Sequence, residues 1–181
     1  MEFHETVLPG AFVIELDPRR DDRGFFARAF DAREFASRNL IGGVAQCNLS
    51  YNLRKGTLRG FHYQVEPAAE AKLVRCIRGA VLNVIVDLRP GSATYLHHTG
   101  VRLTAANRRS LYIPPLFATA MQTLADETEL YYQVGEYYTP GTERGLRHDD
   151  PRLGVEWPEA VTEISAKDRS WPLIDDGALS R

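Results

Sequence analysis

The chain has 181 residues, of which 44% are hydrophobic and 25% charged, and its formal net charge is -2. These values are ordinary for one globular domain with a real core, and they argue against the basic surface that nucleic-acid binding needs. No apolar run approaches the roughly 20 residues of a membrane span, and the acidic N-terminus is unlike a secretory signal. From these features we expect a protein that binds neither nucleic acid nor membrane. Its two cysteines form no disulfide framework, so we also expect it to be cytoplasmic.

The first elements are predicted to be short strands followed by one helix. FVIEL (12–16) and RGFFARAF (23–30) are typical of strands separated by a charged turn. DAREFASRNL (31–40) is the best helix candidate, since Asp31 and Glu34 form a capping-box-like pair at its start.

Strands dominate the middle of the chain. AQCNLSYN (45–52) alternates, TLRGFHYQ (57–64) places a histidine within a strand, and KLVRCIRG (72–79) with AVLNVIVDL (80–88) is predicted to form a hairpin. The alternation of the first of these strands puts four polar side chains on one face, namely Gln46, Asn48, Ser50 and Asn52.

The remaining elements complete a mostly β protein. One short helical turn is expected over 165–168, and further strands are predicted over 97–105, 109–114, 118–125 and 129–138. Many short strands with turn residues between them favour a double-sheet jelly roll or barrel with minor helices. We expect residues 1–181 to form a single domain, with the N-terminal strands and the C-terminal tail packed on it.

Metal and cysteine chemistry are poorly supported by the sequence. A metal-binding cupin needs three or four convergent ligands, commonly an HxH pair on one strand face, and no such pair occurs. The five histidines are scattered, at positions 4, 62, 97, 98 and 148. Cys47 alternates with polar neighbours and is expected to be a small hydrophobic side chain rather than a nucleophile. We therefore expect neither a metal nor a cofactor.

Acid–base chemistry is the class that remains. His62 could act as a general base if a carboxylate orients it, and Lys72 could stabilise a developing oxyanion. A cluster of tyrosines (131, 132, 137 and 138) could supply a proton from a second direction, and Asp149-Asp150 could supply the carboxylate. Each residue also has a purely structural explanation: a hydrogen-bonded buried histidine, an exposed lysine, or core aromatics. Together they describe proton abstraction next to a carbonyl with reprotonation from elsewhere.

Six stretches in order resemble the dTDP-4-dehydrorhamnose 3,5-epimerase family over nearly the whole chain. They are DDRGFFARAF, QCNLSYNLRKGTLRGFHYQ, KLVRCIRGAVLNVIVDLRPGSATY, LYIPPLFATAMQTL, YYTPGTERGLRHDDPRLGVEWP and ISAKDRSWP. The resemblance implies a cupin-type jelly roll (double-stranded β-helix), a homodimer formed through exchanged strands, and a nucleotide-sugar substrate without any metal.

The resemblance also implies roles for individual residues. His62 corresponds to the general base, Asp150 to the carboxylate that orients it, Lys72 to the residue near the sugar carbonyl, and Tyr132 to the proton donor. The implied contacts to the nucleotide diphosphate and sugar are Arg23, Phe26, Gln46, Asn48, Arg59, Tyr138 and Glu143. Strict strand alternation would put Arg59 and His62 on opposite faces, so their convergence rests on the resemblance or on a bulge at Gly60.

Two substrate-binding positions depart from the family pattern. Arg28 stands where a glutamate that contacts the nucleotide is usual, which leaves the preference for the nucleotide base open. Thr119 stands where the family has a histidine beside the substrate, which leaves the number of epimerised centres open.

The implied reaction is epimerisation of a nucleoside-diphosphate 4-keto-6-deoxyhexose, expected to be dTDP-linked, at C3, C5 or both through an enolate. One alternative is a keto-isomerase that moves the carbonyl between C4 and C3 through the same enol. The other is a sugar-nucleotide-binding cupin without activity, which the joint presence of the four catalytic candidates argues against.

Overall fold

The computed structural model describes residues 1–174, which contain thirteen strands and two short helices. In chain order they are β1 Glu2–Glu5, β2 Phe12–Glu15, β3 Arg19–Asp21, β4 Gly24–Phe26, α1 Ala32–Ala36, β5 Gln46–Asn52, β6 Leu58–Gln64, β7 Lys72–Arg78, β8 Ala80–Asp87, β9 His98–Thr104, β10 Ser110–Ile113, β11 Phe117–Thr123, β12 Thr128–Val134, β13 Glu143–Gly145 and α2 Ala166–Ser170. Neither of these helices is long and apolar enough to cross a membrane.

Two antiparallel sheets form the body of the fold and confirm the predicted jelly-roll class. The six-stranded sheet has the order β1-β2-β10-β7-β12-β5, and the five-stranded sheet has the order β13-β6-β11-β8-β9. The main core lies between them, where Val74 and Leu111 of the first sheet share one buried cluster with Ile85 and Leu103 of the second. Strands β3 and β4 pair with each other in a separate hairpin.

The almost continuous apolar run of β8 is explained by burial on both of its faces. Ile85 belongs to the cluster between the sheets, whereas Val84 belongs to a second cluster on the outer face. There it is covered by the C-terminal part of the chain, through Leu146, Leu153 and Ile174. A strand that is covered on both sides has no reason to alternate with polar residues.

The predicted hairpin between 72–79 and 80–88 is wrong. Strand β7 pairs with β10 and β12 in one sheet, while β8 pairs with β9 and β11 in the other. The chain crosses between the sheets at Gly79, which has φ +74°, and a Cβ there would lie 2.3 Å from Oγ1 of Thr128. Local sequence shows a turn at this glycine but does not show that the second strand leaves the sheet.

Several boundaries also differ from expectation. The helix predicted over 31–40 covers only Ala32–Ala36, although Asp31 caps it as expected by accepting from the backbone N–H of Arg33 and Glu34. The strand predicted over 129–138 ends at Val134, β3 lies in the segment that was predicted to be a charged turn, and β1 and β13 were not predicted. β13 pairs with β6, which is distant in sequence, so a local pattern does not reveal it. β1 pairs with the neighbouring β2.

Candidate active site

A cavity of about 800 Å³ opens between the two sheets. Its volume is typical of pockets that hold small ligands and cofactors. One wall comes from β6, β8 and β11 of the five-stranded sheet, the other from β7 and β12 of the six-stranded sheet, and residues 163–168 contribute at one side. The five predicted site residues that line it are Arg59, His62, Lys72, Thr119 and Tyr132.

A bulge at Gly60 brings Arg59 and His62 into this cavity together. His62 pairs with Thr119 and Arg59 pairs with Met121, so two residues of β6 oppose one residue of β11. The extra residue reverses the alternation between Arg59 and His62, and the bulge is one of the two explanations that sequence analysis offered for their convergence. Gly60 has φ +106°, and a Cβ on it would lie 2.5 Å from the carbonyl oxygen of Thr119. The position therefore has room only for glycine.

The carboxylate that contacts His62 is that of Asp168. His62 Nε2 lies 2.6 Å from Asp168 Oδ1, and the other carboxylate oxygen, Oδ2, accepts from the Gly60 N–H at 3.1 Å. Asp168 is in the first turn of α2, where its own N–H donates to the side chain of the N-cap Ser165 at 3.0 Å. The capped turn thus holds a carboxylate against the imidazole.

This contact sets the proton position on His62. Burial alone would raise the pKa of Asp168, but the hydrogen bond from His62, the positive charge of that ring when it is protonated, and the Gly60 N–H bring this pKa below its usual range. An ionised carboxylate only accepts hydrogen bonds, so in the neutral imidazole Nε2 carries the proton and Nδ1 has the lone pair. Among residues 1–174, none is hydrogen-bonded to Nδ1. The imidazole is therefore arranged as a base.

The opposite wall carries a cation and a phenol. Lys72 forms an ion pair with Glu70, and both side chains are largely buried. Burial raises the pKa of Tyr132, the charge of Glu70 raises it further, and Arg59 acts against this shift. Tyr132 is therefore a protonated phenol that can donate its hydrogen. His62 and Tyr132 stand on different sheets with the cavity between them.

Thr119 lies beside His62. It is directly opposite His62 in the pairing of β11 with β6, so the two side chains share one face of the sheet. Its hydroxyl oxygen accepts from Nδ2 of Asn83 at 2.9 Å, and Asn83 also lines the cavity.

Comparison with known proteins identifies the family. Residues 5–176 match the family model described as dTDP-4-dehydrorhamnose 3,5-epimerase. The chain belongs to this family. The dTDP-4-dehydrorhamnose 3,5-epimerase of Methanothermobacter thermautotrophicus is 42% identical over 178 residues, covering 96% of this chain and 95% of the relative.

Solved structures of family members superpose closely on this chain. The dTDP-4-dehydrorhamnose 3,5-epimerase of Elizabethkingia anophelis has a TM-score of 0.94 at 33% identity and covers 98% of both chains. ChmJ, a 3′-monoepimerase from Streptomyces bikiniensis in complex with dTDP-quinovose, has a TM-score of 0.85 at 32% identity, over 94% of this chain and 86% of ChmJ. The family thus includes enzymes described as acting on two centres and on one.

The assignment of Asp150 as the partner of His62 is wrong for this family member. Asp150 is buried, but its Oδ1 accepts from the N–H of Arg152 at 2.9 Å and its Oδ2 from the N–H of Ile174 at 2.6 Å. It fixes the C-terminal segment to the body of the fold. The sequence showed a helical turn at 165–168 but not which carboxylate the fold would bring to the histidine.

Four predicted contact residues lie around the cavity rather than in its lining. Asn48 is directly opposite Tyr132 in the pairing of β5 with β12 and shares its face. The Gln46 side chain accepts from the N–H of Tyr138 at 2.9 Å. Glu143 forms an ion pair at 2.5 Å with Lys167, a residue that does line the cavity and that sequence reasoning missed.

The remaining predicted contacts, Arg23, Phe26 and Arg28, lie outside the cavity. Arg23 is bonded to Asp21 within the β3–β4 hairpin, and its side chain is 90% exposed. Phe26 is 71% exposed. Arg28 forms an ion pair with Asp31 at 2.9 Å. Within a single copy of this epimerase-family chain, these residues therefore do not join the site.

One group of side chains in the described part of the chain has metal-ligand spacing. Glu2, His4 and Glu15 present ligand atoms within 4.8 Å of one another at the β1–β2 edge. None of the three lines the cavity, and Glu15 is already in an ion pair with Arg109 at 2.6 Å. Within residues 1–174, this group is separate from the cavity that His62 and Tyr132 line.

Proposed function

We propose that this protein epimerises a dTDP-linked 4-keto-6-deoxyhexose at C3, C5 or both, as its relatives are named for doing. The observation that carries the proposal is the placement of a base and a proton donor on opposite walls of one cavity, His62 on β6 and Tyr132 on β12. Inversion of a carbon centre requires a proton to leave from one side and return from the other. Two groups that face each other across a substrate meet that requirement.

The proposed steps use only side chains of the site. Nδ1 of His62 takes a proton from the carbon next to the C4 carbonyl, and the electron pair of that C–H bond forms the C=C bond of the enolate. The carbonyl π electrons move to O4, where the ammonium of Lys72 stabilises the new charge. The Tyr132 hydroxyl then gives its proton to the opposite side of the same carbon, the enolate returns to the ketone, and solvent restores both residues.

The charged and polar groups at the cavity suit the rest of such a substrate. Arg59 is fixed by a 2.7 Å bond from its Nε to Asn52, which leaves guanidinium N–H groups for a diphosphate. We propose that the residues around the cavity contact the nucleotide and sugar, namely Gln46, Asn48, Tyr138 and Glu143.

Deuterium exchange tests this function. Incubation with dTDP-4-keto-6-deoxyglucose in D₂O should place deuterium at C3, C5 or both and yield an inverted sugar. His62→Ala should lose about 10²–10⁴-fold of the exchange rate, the usual contribution of a positioned general base. Wild-type protein that exchanges neither carbon would refute the proposal, and a new position of the keto group would indicate the isomerase instead.

We further propose a homodimer that exchanges strands. The six-stranded sheet ends at β5, and a second copy would cover this open edge together with its outer face. The exposed apolar side chains on that face are Leu49, Tyr51, Ile77 and Tyr131. Among residues 1–174 the β3–β4 hairpin pairs only with itself, so it is the segment that we expect to reach the partner's cavity with Arg23, Phe26 and Arg28.

Mixing two inactive variants tests the exchange. Arg23→Ala lacks the exchanged contact and His62→Ala lacks the base, so each homodimer should be impaired. Random reassortment makes half of the dimers mixed, and one of the two sites in each is intact, so activity should return to about a quarter of wild type. A mixture no more active than its components, although mass spectrometry shows mixed dimers, would refute the exchange.

We also propose a single domain over 1–181 and a cytoplasmic location. Support for the first is the shared cluster of Ile174 with Val84, which joins the C-terminal part to the sheet. Support for the second is that Cys47 is a free and exposed thiol, as suits a reducing compartment.

A further inference from the structure

Asn83 is a buried polar residue at a position where the strand pattern calls for an apolar one. On the inner face of β8 its neighbours are Val81 and Ile85, both in the cluster between the sheets. Asn83 is only 3% exposed to solvent. Burying an amide costs free energy unless it is hydrogen-bonded. The hydrogen bond from the Asn83 amide to the Thr119 hydroxyl is therefore needed to explain why an amide is buried here.

The direction of that bond determines what the Thr119 hydroxyl can do. Nδ2 of Asn83 carries only hydrogens, so it donates, and Oγ1 of Thr119 accepts with a lone pair at 2.9 Å. The hydroxyl hydrogen then has to point elsewhere. No acceptor for it occurs among residues 1–174, and Thr119 lines the cavity. The hydroxyl is left as a donor toward a ligand.

Thr119 is also close to the reacting atoms of the proposed substrate. As the direct partner of His62 across β6 and β11, it has its Cβ about 5 Å from that of the base. His62 acts on a carbon adjacent to the carbonyl, so a donor beside His62 is near the carbonyl oxygen as well.

We propose that Asn83 is a positioning residue, which holds the Thr119 hydroxyl as a hydrogen-bond donor to the substrate's keto oxygen as that oxygen gains negative charge. This inference rests on the proposed function and adds a second stabilising group to Lys72. It also explains the buried amide, because an aliphatic residue at 83 would let the hydroxyl turn away from the substrate.

Asn83→Asp reverses the hydrogen bond with almost no change in shape. The new carboxylate accepts, so the Thr119 hydroxyl donates to it and offers the substrate only a lone pair. We expect kcat for deuterium incorporation to fall about 10²–10³-fold, the usual cost of one oxyanion donor, with KM changed less than about threefold. Thr119→Val should give the same loss, and Thr119→Ser should restore most of it. Asn107→Asp, in the exposed turn after β9, is the matched control and should keep the wild-type rate.

A double-mutant cycle separates positioning from a direct effect of charge. If Asn83 acts through Thr119, then adding Asn83→Asp to Thr119→Val should change kcat by less than about threefold. Equal losses in the two backgrounds would mean that the carboxylate repels the enolate by itself, and would overturn the inference. Should Asn83→Asp not fold, Asn83→Ala serves in the same cycle, with a smaller loss expected because the hydroxyl becomes free to turn.

The outcomes distinguish this inference from the proposed function. Active wild type with an Asn83→Asp rate equal to wild type overturns the inference alone. A Thr119→Val change confined to KM also overturns it, because a contact to a substrate hydroxyl would bind the ground state and the transition state alike. Wild type without any exchange overturns the proposed function, and this inference with it.

Discussion

Replacing Asp168 by asparagine tests whether the contact to His62 is what makes the histidine a base. The change keeps the size of the side chain but removes the charge that lies 2.6 Å from Nε2. A hydrogen bond to a charged group contributes about 1.5–3 kcal/mol, against about 0.5–1.5 kcal/mol for a neutral one. The difference of about 1.5 kcal/mol corresponds to roughly tenfold in rate.

The full loss should exceed that minimum. An amide at this position can turn its NH₂ group toward Nε2, which would force the proton onto Nδ1 and occupy the lone pair that the mechanism uses. The same replacement in a serine-protease triad costs about 10⁴-fold. We therefore expect Asp168→Asn to lower the rate of deuterium incorporation by between about 10-fold and 10⁴-fold.

Asp150→Asn is the matched control, since it makes the same chemical change at another buried aspartate. Asp150 accepts from the N–H of Ile174 and of Arg152 and does not contact His62. Its replacement should lower the free energy of unfolding by about 1–3 kcal/mol, as expected for a disturbed buried hydrogen bond, while the folded enzyme exchanges at nearly the wild-type rate. Thermal unfolding and deuterium incorporation measured on both variants decide the matter. A loss below threefold for Asp168→Asn, or a larger kinetic loss for Asp150→Asn, would refute the assignment.

Four further predictions concern the donor, the departure from the family pattern, the bulge and the absence of metal chemistry. Tyr132→Phe should retain deuterium incorporation but suppress inversion, because abstraction and reprotonation use different residues; equal loss of both would point to a packing role. With the neutral Thr119 where the family has a histidine, the enzyme should invert a single centre, C3 or C5, or turn over slowly, and NMR that shows rapid deuteration at both carbons would contradict this. Gly60→Ala should lower the midpoint of thermal unfolding more than Gly91→Ala does, and it should also reduce activity. Both glycines have positive φ, so each replacement costs about 1–2 kcal/mol, but a Cβ meets backbone of β11 only at the first. Exhaustive chelation with EDTA should leave turnover intact. A loss of turnover that a divalent ion restores would instead support a metal-dependent mechanism.

Short-range patterns in the sequence were sufficient for much of this fold. The alternation of 45–52 placed four polar residues on one face, and β5 shows that burial pattern. Asp31 was expected to cap a helix, and it does. Each of these features depends on neighbours within a few residues, so its physical cause is visible in the local sequence.

Tertiary structure alone decided which distant groups meet. The apolar runs of β7 and β8 were both visible, but their division between two sheets depends on which other strands pair with each. His62 and Asp168 are 106 residues apart, and Asp150 was an equally good carboxylate by sequence. The bond from Asn83 to Thr119 likewise joins strands separated by 36 residues. A hydrogen bond requires two atoms within about 3 Å, and the path of the whole chain determines which carboxylate or amide arrives there.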